Sequence, residues 1–504
     1  MAPRVSRTDR ALGGWFWMAF GGAVQGVVTL GVLAVLARLL SPLDFGSVAS
    51  GLLIINLSSI LTQGLMGAAL VQHPKLEDTH VRSAFTVAVL GSTLLCGALW
   101  VLAPSVAVVL RASALIPIVR ALAWMLPVEG VGSIAEALLR RDLQFRTVAS
   151  IRMASYTVGY GAVGIGVALA GGGLWALVAA NAAQVSLNTV LLLRARPHRM
   201  RLGLHRAALA ELSSFSGGFM LGRIGNYAAV NGDYLVVVKT LGVASLGLYE
   251  RAYDLMAKPA TFIGQVLDDV LFPVIAQIQT ERARVAGAYR RCVAAVALVS
   301  LPLTSLALIL APEIVGTLLG PRWNDVTAPF QILVLGTVFR TSYKISDSLT
   351  RALGAVYRRA WRQWTYAALV IGGGSIGRHW GLSGVAWAVL FALFANFCLT
   401  AHLGTRLLAM PWSDYARAHG PGLKAAVVVA VPAFLAATLG RALHLSPVAV
   451  LALALLAVAG CVALLLTRDA GWLLGADGRW LTERAIGYVR TKLQGPRAAS
   501  VRTA

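Results

Sequence analysis

Charge is scarce in this chain. Of its 504 residues only 13% are Asp, Glu, Lys or Arg, while 58% are hydrophobic; an ordinary soluble domain carries about 25% charge. The mean hydropathy is +0.73. So few charges cannot cover a water-facing surface, which leaves lipid as the solvent. Acids are scarcer still, 21 against 44 Lys and Arg, giving a formal net charge of +23. A basic excess raises nucleic acid as a partner. Here the cations lie in short gaps between apolar runs, where they orient membrane spans, so no nucleic acid is expected. The four cysteines, Cys96, Cys292, Cys398 and Cys461, fall in or beside apolar runs at no ligand spacing. That excludes a disulfide framework and a thiolate metal centre. No GxxxxGK[ST], HExxH or CxxC occurs, so the chain holds no ATPase engine and no metalloprotease or thiol-redox motif. The eight histidines sit in loops or at the ends of apolar runs. No cofactor and no metal is expected.

What is present is apolar length. A helix needs about 20 apolar residues to cross the hydrocarbon of a bilayer. Fourteen stretches qualify as candidates: 13–37, 48–71, 83–105, 114–137, 147–170, 173–193, 213–238, 244–270, 291–318, 326–350, 360–377, 380–405, 422–441 and 446–467. Internal Pro or charge makes 114–137 and 326–350 candidates for a break. Arg4, Arg7 and Arg10 precede the first stretch without a small-residue cleavage site, so a first membrane helix is expected there rather than a cleaved leader. With the N-terminus inside, the outside gaps hold only Arg38, Arg111, Arg120, Lys239, Arg322, Arg378 and Arg441, and the great majority of Lys and Arg fall inside. This asymmetry predicts an even number of spans with both termini in the cytoplasm. The outside gaps are too short for a sugar-transferring domain, so a transporter is expected rather than an enzyme.

The predicted architecture is an all-α integral membrane protein. An N-lobe over 1–193 (six helices) is followed by a basic linker over 194–212 and a C-lobe over 213–405 (six helices). Two further helices occupy 406–467, and a cytoplasmic tail, 468–504, contains an amphipathic stretch at 471–493 suited to the membrane interface. Leu40-Ser41-Pro42-Leu43-Asp44-Phe45-Gly46 is echoed by Leu241-Gly242-Val243-Ala244-Ser245-Leu246-Gly247, with Leu40 on Leu241 and Gly46 on Gly247. Six spans separate the copies, so the two lobes are expected to be parallel repeats facing each other across a cavity. Aromatic residues near the ends of spans one and eleven, Trp15, Phe16, Trp17, Trp361, Trp364 and Tyr366, read as an interfacial belt.

Charges inside spans are costly and therefore informative. On span eight Arg251, Asp254 and Lys258 share one helix face. On span ten Arg340, Lys344, Asp347 and Arg351 do so, and on span seven Arg223, Asn226 and Asp233, with Tyr227 and Tyr234 beside them. Arg forks fit phosphate oxygens and Lys adds a point charge. The reading is a cationic cavity for an anionic, diphosphate-like head group. Arg223, Arg251, Lys258, Arg340 and Lys344 would contact it, and Asp233, Asp254 and Asp347 would orient them. Internal ion pairing that only fixes packing stays open for each residue. The first half offers Glu129 and Glu136 on span four as sites of ion coupling or as buried structural carboxyls, and Arg152 near the inner end of span five.

Several pieces in order, Arg38-Leu39-Leu40-Ser41-Pro42-Leu43-Asp44-Phe45-Gly46, Leu139-Arg140-Arg141-Asp142-Leu143-Gln144-Phe145-Arg146, Asp233, Leu241-Gly242, Leu246-Gly247-Leu248-Tyr249, Arg251-Ala252-Tyr253 and Phe272-Pro273, resemble the Wzx-type polysaccharide-transport flippases of the multidrug/oligosaccharidyl-lipid/polysaccharide (MOP) superfamily. The resemblance implies a flippase of the bacterial inner membrane that moves undecaprenyl-diphosphate-linked oligosaccharide by alternating access between two six-helix lobes. It also implies the polysaccharide polymerase or export machinery as further partners. The lipid II flippases of the superfamily carry their cavity cations mostly in the first lobe, which is poor in them here. The drug-exporting branch prefers acidic cavities. A lipid II flippase and a drug or metabolite antiporter are the alternatives.

Overall fold

The computed structural model describes residues 25–73, 75–278, 281–353 and 356–467, and among these the regular structure is all helical. In chain order the helices are α1 (Gln25–Leu39), α2 (Pro42–Gln72), α3 (Asp78–Val109), α4 (Leu115–Ala123), α5 (Met125–Arg141), α6 (Phe145–Tyr156), α7 (Ile165–Leu169), α8 (Trp175–Ala195), α9 (Arg206–Leu241) and α10 (Val243–Ile278). They continue with α11 (Arg282–Ile309), α12 (Ala311–Leu318), α13 (Thr327–Ala352), α14 (Val356–Gly377), α15 (Gly381–Leu408), α16 (Trp412–Arg417), α17 (Gly420–Ala442) and α18 (Pro447–Thr467). A π-helical stretch, Thr157–Gly164, joins α6 to α7, and short 3-10 turns occupy Pro321–Val326 and Arg378–Trp380. The amphipathic tail and the tryptophans of span one lie outside the described residues.

Among the described residues eight stretches of helix are long and apolar enough to cross a membrane, and the chain is a multi-pass membrane protein. Helices α9, α10 and α13 are not among the eight, although they run to 36, 36 and 26 residues. Each of the three carries several ionisable residues along its length, among them Asp233 on α9, Glu250, Arg251, Asp254 and Lys258 on α10, and Arg340, Lys344 and Asp347 on α13. The stretch at 114–137 is divided between α4 and α5, because Pro127 has no N–H for the α4 ladder. The stretch at 326–350 stays one helix: Pro329 sits in the first turn of α13, where its missing donor is not needed. The stretch at 291–318 breaks at Leu310, just ahead of Pro312. The linker is shorter than 194–212, since α9 already begins at Arg206. The good helix formers Ala207, Ala208, Leu209 and Ala210 extend it toward the linker.

α2 is common to both halves. It packs on α3, α4 and α5 and also on α9 and α10. Beyond it α10, α13, α15, α14 and α9 form a connected set, α11 lies against α13, and α17 lies on α11. α18 adds Val450, Ala454 and Val458 to the small-residue face of α17.

The start of α2 is fixed locally. Ser41 N donates to Asp44 Oδ2 at 2.8 Å, and Asp44 N donates to Ser41 Oγ at 3.3 Å, closing a capping box ahead of Pro42. α10 starts one residue after α9, the reversal being made by Gly242 at φ +91°. The two helix starts then meet. A Cβ on Gly46 would lie 1.9 Å from Val243 O and 2.9 Å from Gly247 N. A Cβ on Gly247 would lie 2.0 Å from Pro42 O and 2.9 Å from Gly46 N. The offset that relates Leu40 to Leu241 also relates Pro42 to Val243 and Gly46 to Gly247, so the contact is reciprocal, the signature of a local two-fold. The α1–α2 corner is tied to the second half nearby. The fully buried Trp323 donates Nε1–H to Ala37 O at 2.8 Å and meets the Phe45 ring edge-on at 5.3 Å, and Arg38 Nη2 donates to Thr317 O at 2.8 Å.

Backbone contact at Gly46 and Gly247 leaves no room for a methyl group. Gly46→Ala and Gly247→Ala are each expected to destabilise the protein by about 1–3 kcal/mol, the usual cost of overpacking a close contact. The measurement is the unfolding midpoint of the detergent-purified protein. Gly97→Ala, at an α3 position with nothing within 4 Å, is the control expected to leave the midpoint unchanged.

Candidate functional site

Below the glycine crossing, α10 turns a charged face toward the first half. Arg251 is buried, and its Nη2 lies 2.6 Å from Glu250 Oε2 while Nη1 lies 3.5 Å from Asp254 Oδ2. Its guanidinium carbon stands 4.9 Å from the centroid of the Phe45 ring, a cation–π distance. Its Nε is buried with no hydrogen-bond partner among the described residues. Glu250, Arg251, Asp254 and Lys258 together line one side of a cavity of about 220 Å³.

The other walls come from the first half and, apart from Thr29 of α1, are apolar or aromatic, Leu33 and Leu36 of α1, Phe45 and Leu52 of α2, and the tyrosines Tyr156 and Tyr160 among them. The two tyrosines stack at 5.1 Å where α6 passes into the π-helix. The first half thus supplies greasy and phenolic walls, and the second half supplies all the charge. Two cations face two carboxylates. The space is smaller than the about 300 Å³ at which sites for drug-sized ligands begin. It has room for a small anion and water, and none for an oligosaccharide.

A second polar cluster lies on the far side of α10. Asp233, buried on α9, accepts a hydrogen bond from Tyr249 Oη at 2.9 Å on Oδ2 and one from the backbone N–H of Tyr234 at 3.0 Å on Oδ1. The Tyr234 ring is edge-on to Tyr249 and Tyr253 at 5.9 and 5.5 Å. Arg340 of α13 donates Nη1–H to Tyr253 Oη at 2.5 Å and lies 5.2 Å from that ring's centroid. No carboxylate lies within ion-pair distance of Arg340 among the described residues, and its Nε is buried without a partner. Among the described residues its direct contacts are the Tyr253 hydroxyl and ring face.

The expected site residues are therefore divided. Arg251, Asp254 and Lys258 are brought together on the cavity. Asp233 and Arg340 bind α9, α10 and α13 to one another through tyrosines, and neither lines that cavity. Lys344 runs its methylenes across Gly264 of α10, so that a Cβ there would lie 2.2 Å from Lys344 Cδ. Asp347 is 3.3 Å from Arg351 Nε. Arg223 lies on α9, and its side chain is outside the described set. In the first half Glu129 accepts a hydrogen bond from Ser59 Oγ at 2.7 Å, while Glu136 is held by Arg140 at 2.6 Å and Arg152 at 2.5 Å. The charged cavity residue that sequence reasoning passed over is Glu250. An acid next to an arginine inside an apolar run was the available signal.

Residues 35–328, more than half of the chain, match the family of polysaccharide biosynthesis proteins. The chain belongs to this family. Among curated members of similar sequence, the succinoglycan biosynthesis transport protein ExoT of Rhizobium meliloti is 28% identical over 64% of this chain and 61% of its own length. The lipopolysaccharide biosynthesis protein WzxC of Escherichia coli is 22% identical over 70% of this chain and 72% of its own. The teichuronic acid biosynthesis protein TuaB of Bacillus subtilis is 23% identical over 69% and 73%. The match to ExoT thus spans less than two thirds of that protein. Among solved structures, the lipid II flippase MurJ in its inward closed conformation superposes with a TM-score of 0.73 at 11% identity, covering 90% of this chain and 99% of MurJ. An inward-facing MATE family multidrug resistance transporter of the MOP superfamily gives 0.61 at 13% identity, covering 76% and 94%. The polysaccharide biosynthesis protein described here has the fold of MOP transporters.

The tyrosine cluster makes a separate structural prediction. Tyr249→Phe leaves one oxygen of the buried Asp233 without its hydroxyl donor, which costs about 1–3 kcal/mol. A lowered unfolding midpoint in detergent is expected. Tyr234→Phe, whose hydroxyl bonds nothing among the described residues, keeps the edge-on ring contacts and leaves the midpoint unchanged.

Proposed function

We propose that this protein is a flippase of the bacterial inner membrane. It carries undecaprenyl-diphosphate-linked oligosaccharide from the cytoplasmic to the periplasmic leaflet and performs no chemistry on it. In this reading the chain crosses the membrane fourteen times with both ends in the cytoplasm. Two six-helix lobes run over 1–193 and 213–405, and α17 and α18 lie beside the second. The head group crosses through a chamber between the lobes while the polyprenyl tail stays in lipid, and the lobes alternate between inward and outward access.

One observation carries the reading. Arg251 and Lys258 of α10, with Glu250 and Asp254 beside them, open onto a cavity whose opposite walls belong to the first half of the chain. A guanidinium and an ammonium facing a partly open cavity between the first and second halves suit a diphosphate, which Arg grips with its fork and Lys with its point charge. The small volume and the reciprocal glycine contact above it fit a carrier at rest, closed on the α2–α10 side. The family, polysaccharide biosynthesis proteins, and the name of one relative, the succinoglycan biosynthesis transport protein ExoT, support a glycan cargo. Glu250 and Asp254 hold Arg251 until a diphosphate displaces them, and Arg340 is a second cation reached as α10 and α13 part.

The same carboxylates favour one competing reading, an antiporter of cationic drugs or metabolites, in which Glu250 and Asp254 hold the cargo. Substitutions separate the two. Arg251→Ala removes a charge-assisted contact worth about 1.5–3 kcal/mol, so the rate of glycan export is expected to fall by about tenfold to a hundredfold. The measurement is polymer output of a deletion strain complemented with the variant at equal membrane levels. Glu250→Gln removes the competing acid and is expected to tighten binding of a polyprenyl diphosphate probe. An antiporter of cations gives the reverse pattern: Glu250→Gln abolishes transport and Arg251→Ala is tolerated.

A further inference from the structure

Away from the cavity, at the end of the bundle where the Arg194–Arg206 linker joins the two halves, three side chains converge on one point. His73 caps the C-terminus of α2, His80 stands in the first turn of α3, and Glu211 projects from the start of α9. His73 Nε2 and His80 Nε2 lie 3.2 and 3.1 Å from the same oxygen, Glu211 Oε2. The three ligand atoms are all within 4.8 Å of one another. The imidazole rings stand 4.4 Å apart. Both histidine side chains are nearly closed off from solvent, at 11% and 8% exposure, while Glu211 is 57% exposed.

We propose that this triad binds a divalent transition-metal ion of the zinc class and staples α9 to the α2–α3 turn. Two imidazole nitrogens and one carboxylate oxygen are a zinc donor set, with bond lengths of about 2.0–2.2 Å and a fourth position for water. Donors already within 4.8 Å of one another need only small rotations to reach those lengths, and the exposed side of Glu211 gives an ion its way in. The backbone of His73 is braced, since Arg141 Nη1 donates to its carbonyl at 2.6 Å. Hydrogen bonding to Glu211 satisfies this group only in part: His73 Nδ1 is buried and bonds nothing among the described residues.

One interaction opposes the metal. His80 Nδ1 accepts the backbone N–H of Glu77 at 3.3 Å, which favours the tautomer protonated on Nε2. A metal on Nε2 moves that proton to Nδ1 and gives up this long bond. A neutral hydrogen bond contributes about 0.5–1.5 kcal/mol net, far less than a structural zinc ion supplies. The site is independent of the cavity and of the cargo, so the transport reading stands or falls separately.

The test uses the full chain purified in detergent with a histidine-free tag and stripped with chelator. Titration calorimetry with ZnCl2 is expected to give one equivalent of saturable binding, and Co2+ to give the visible absorption of a tetrahedral site. His73→Ala/His80→Ala is expected to weaken zinc binding by more than about 100-fold, beyond the 10–100-fold that an outer-shell loss costs. Glu211→Gln, at an exposed position that does not threaten folding, is expected to weaken it by at least about tenfold. Zinc is also expected to raise the unfolding midpoint of the wild type and not that of the double variant. Absence of saturable zinc uptake by the wild type overturns the proposal. So does zinc uptake by Glu211→Gln and the double variant equal to that of the wild type.

Discussion

The approach of α2 and α10 at Gly46 and Gly247 is the constraint on which the rest depends. Two helix starts touch backbone to backbone, with each glycine against a carbonyl of the other helix. Helices held at that distance bring the charged face of α10 against the apolar walls of α1 and α2, and the cavity is the space left below the crossing. Trp323 and Arg38 lock the same corner from the side of α12. Had either glycine been any other residue, the two halves would stand further apart and Arg251 would lose the Phe45 ring beneath it.

Much of this was legible in the sequence because the relevant physics is local. Apolar length marked helices; of the two stretches open to a break, 114–137 divides and 326–350 does not, and the break ahead of Pro312 was not anticipated. The short echo between Leu40–Gly46 and Leu241–Gly247 turned out to join the two segments that touch. The grouping of Arg251, Asp254 and Lys258 followed from helical spacing alone. What spacing cannot give is which helix faces another. Arg340 and Asp233 looked like cavity residues because they were polar and intramembrane, and both instead find tyrosines of α10. Side-chain chemistry allowed either outcome, and tertiary packing decided it.

Two cations that the positive-inside count assigns to the outside gaps tell a similar story. Arg38 and Arg441 were counted as topology signals. In the fold Arg38 bonds a carbonyl of α12, and Arg441 forks onto Glu313 at 2.7 and 2.9 Å while also bonding Ile309 O at 2.8 Å. A residue kept at a span end by the membrane rule is free to take on a packing role as well, and no count along the chain separates the two. The His73–His80–Glu211 group was invisible for the opposite reason: its members come from three elements, and only the fold assembles them.

The pairing of Arg251 and Lys258 with Glu250 and Asp254 has an electrical consequence for a carrier of the proposed kind. With both acids ionised the vacant chamber is formally neutral, so its return stroke moves no net charge through the field across the bilayer. A chamber holding a diphosphate is anionic, and an inside-negative voltage drives it outward by about 2.3 kcal/mol per charge per 100 mV. Such a machine is rectified by its own composition, since voltage acts on the loaded stroke and ignores the empty one.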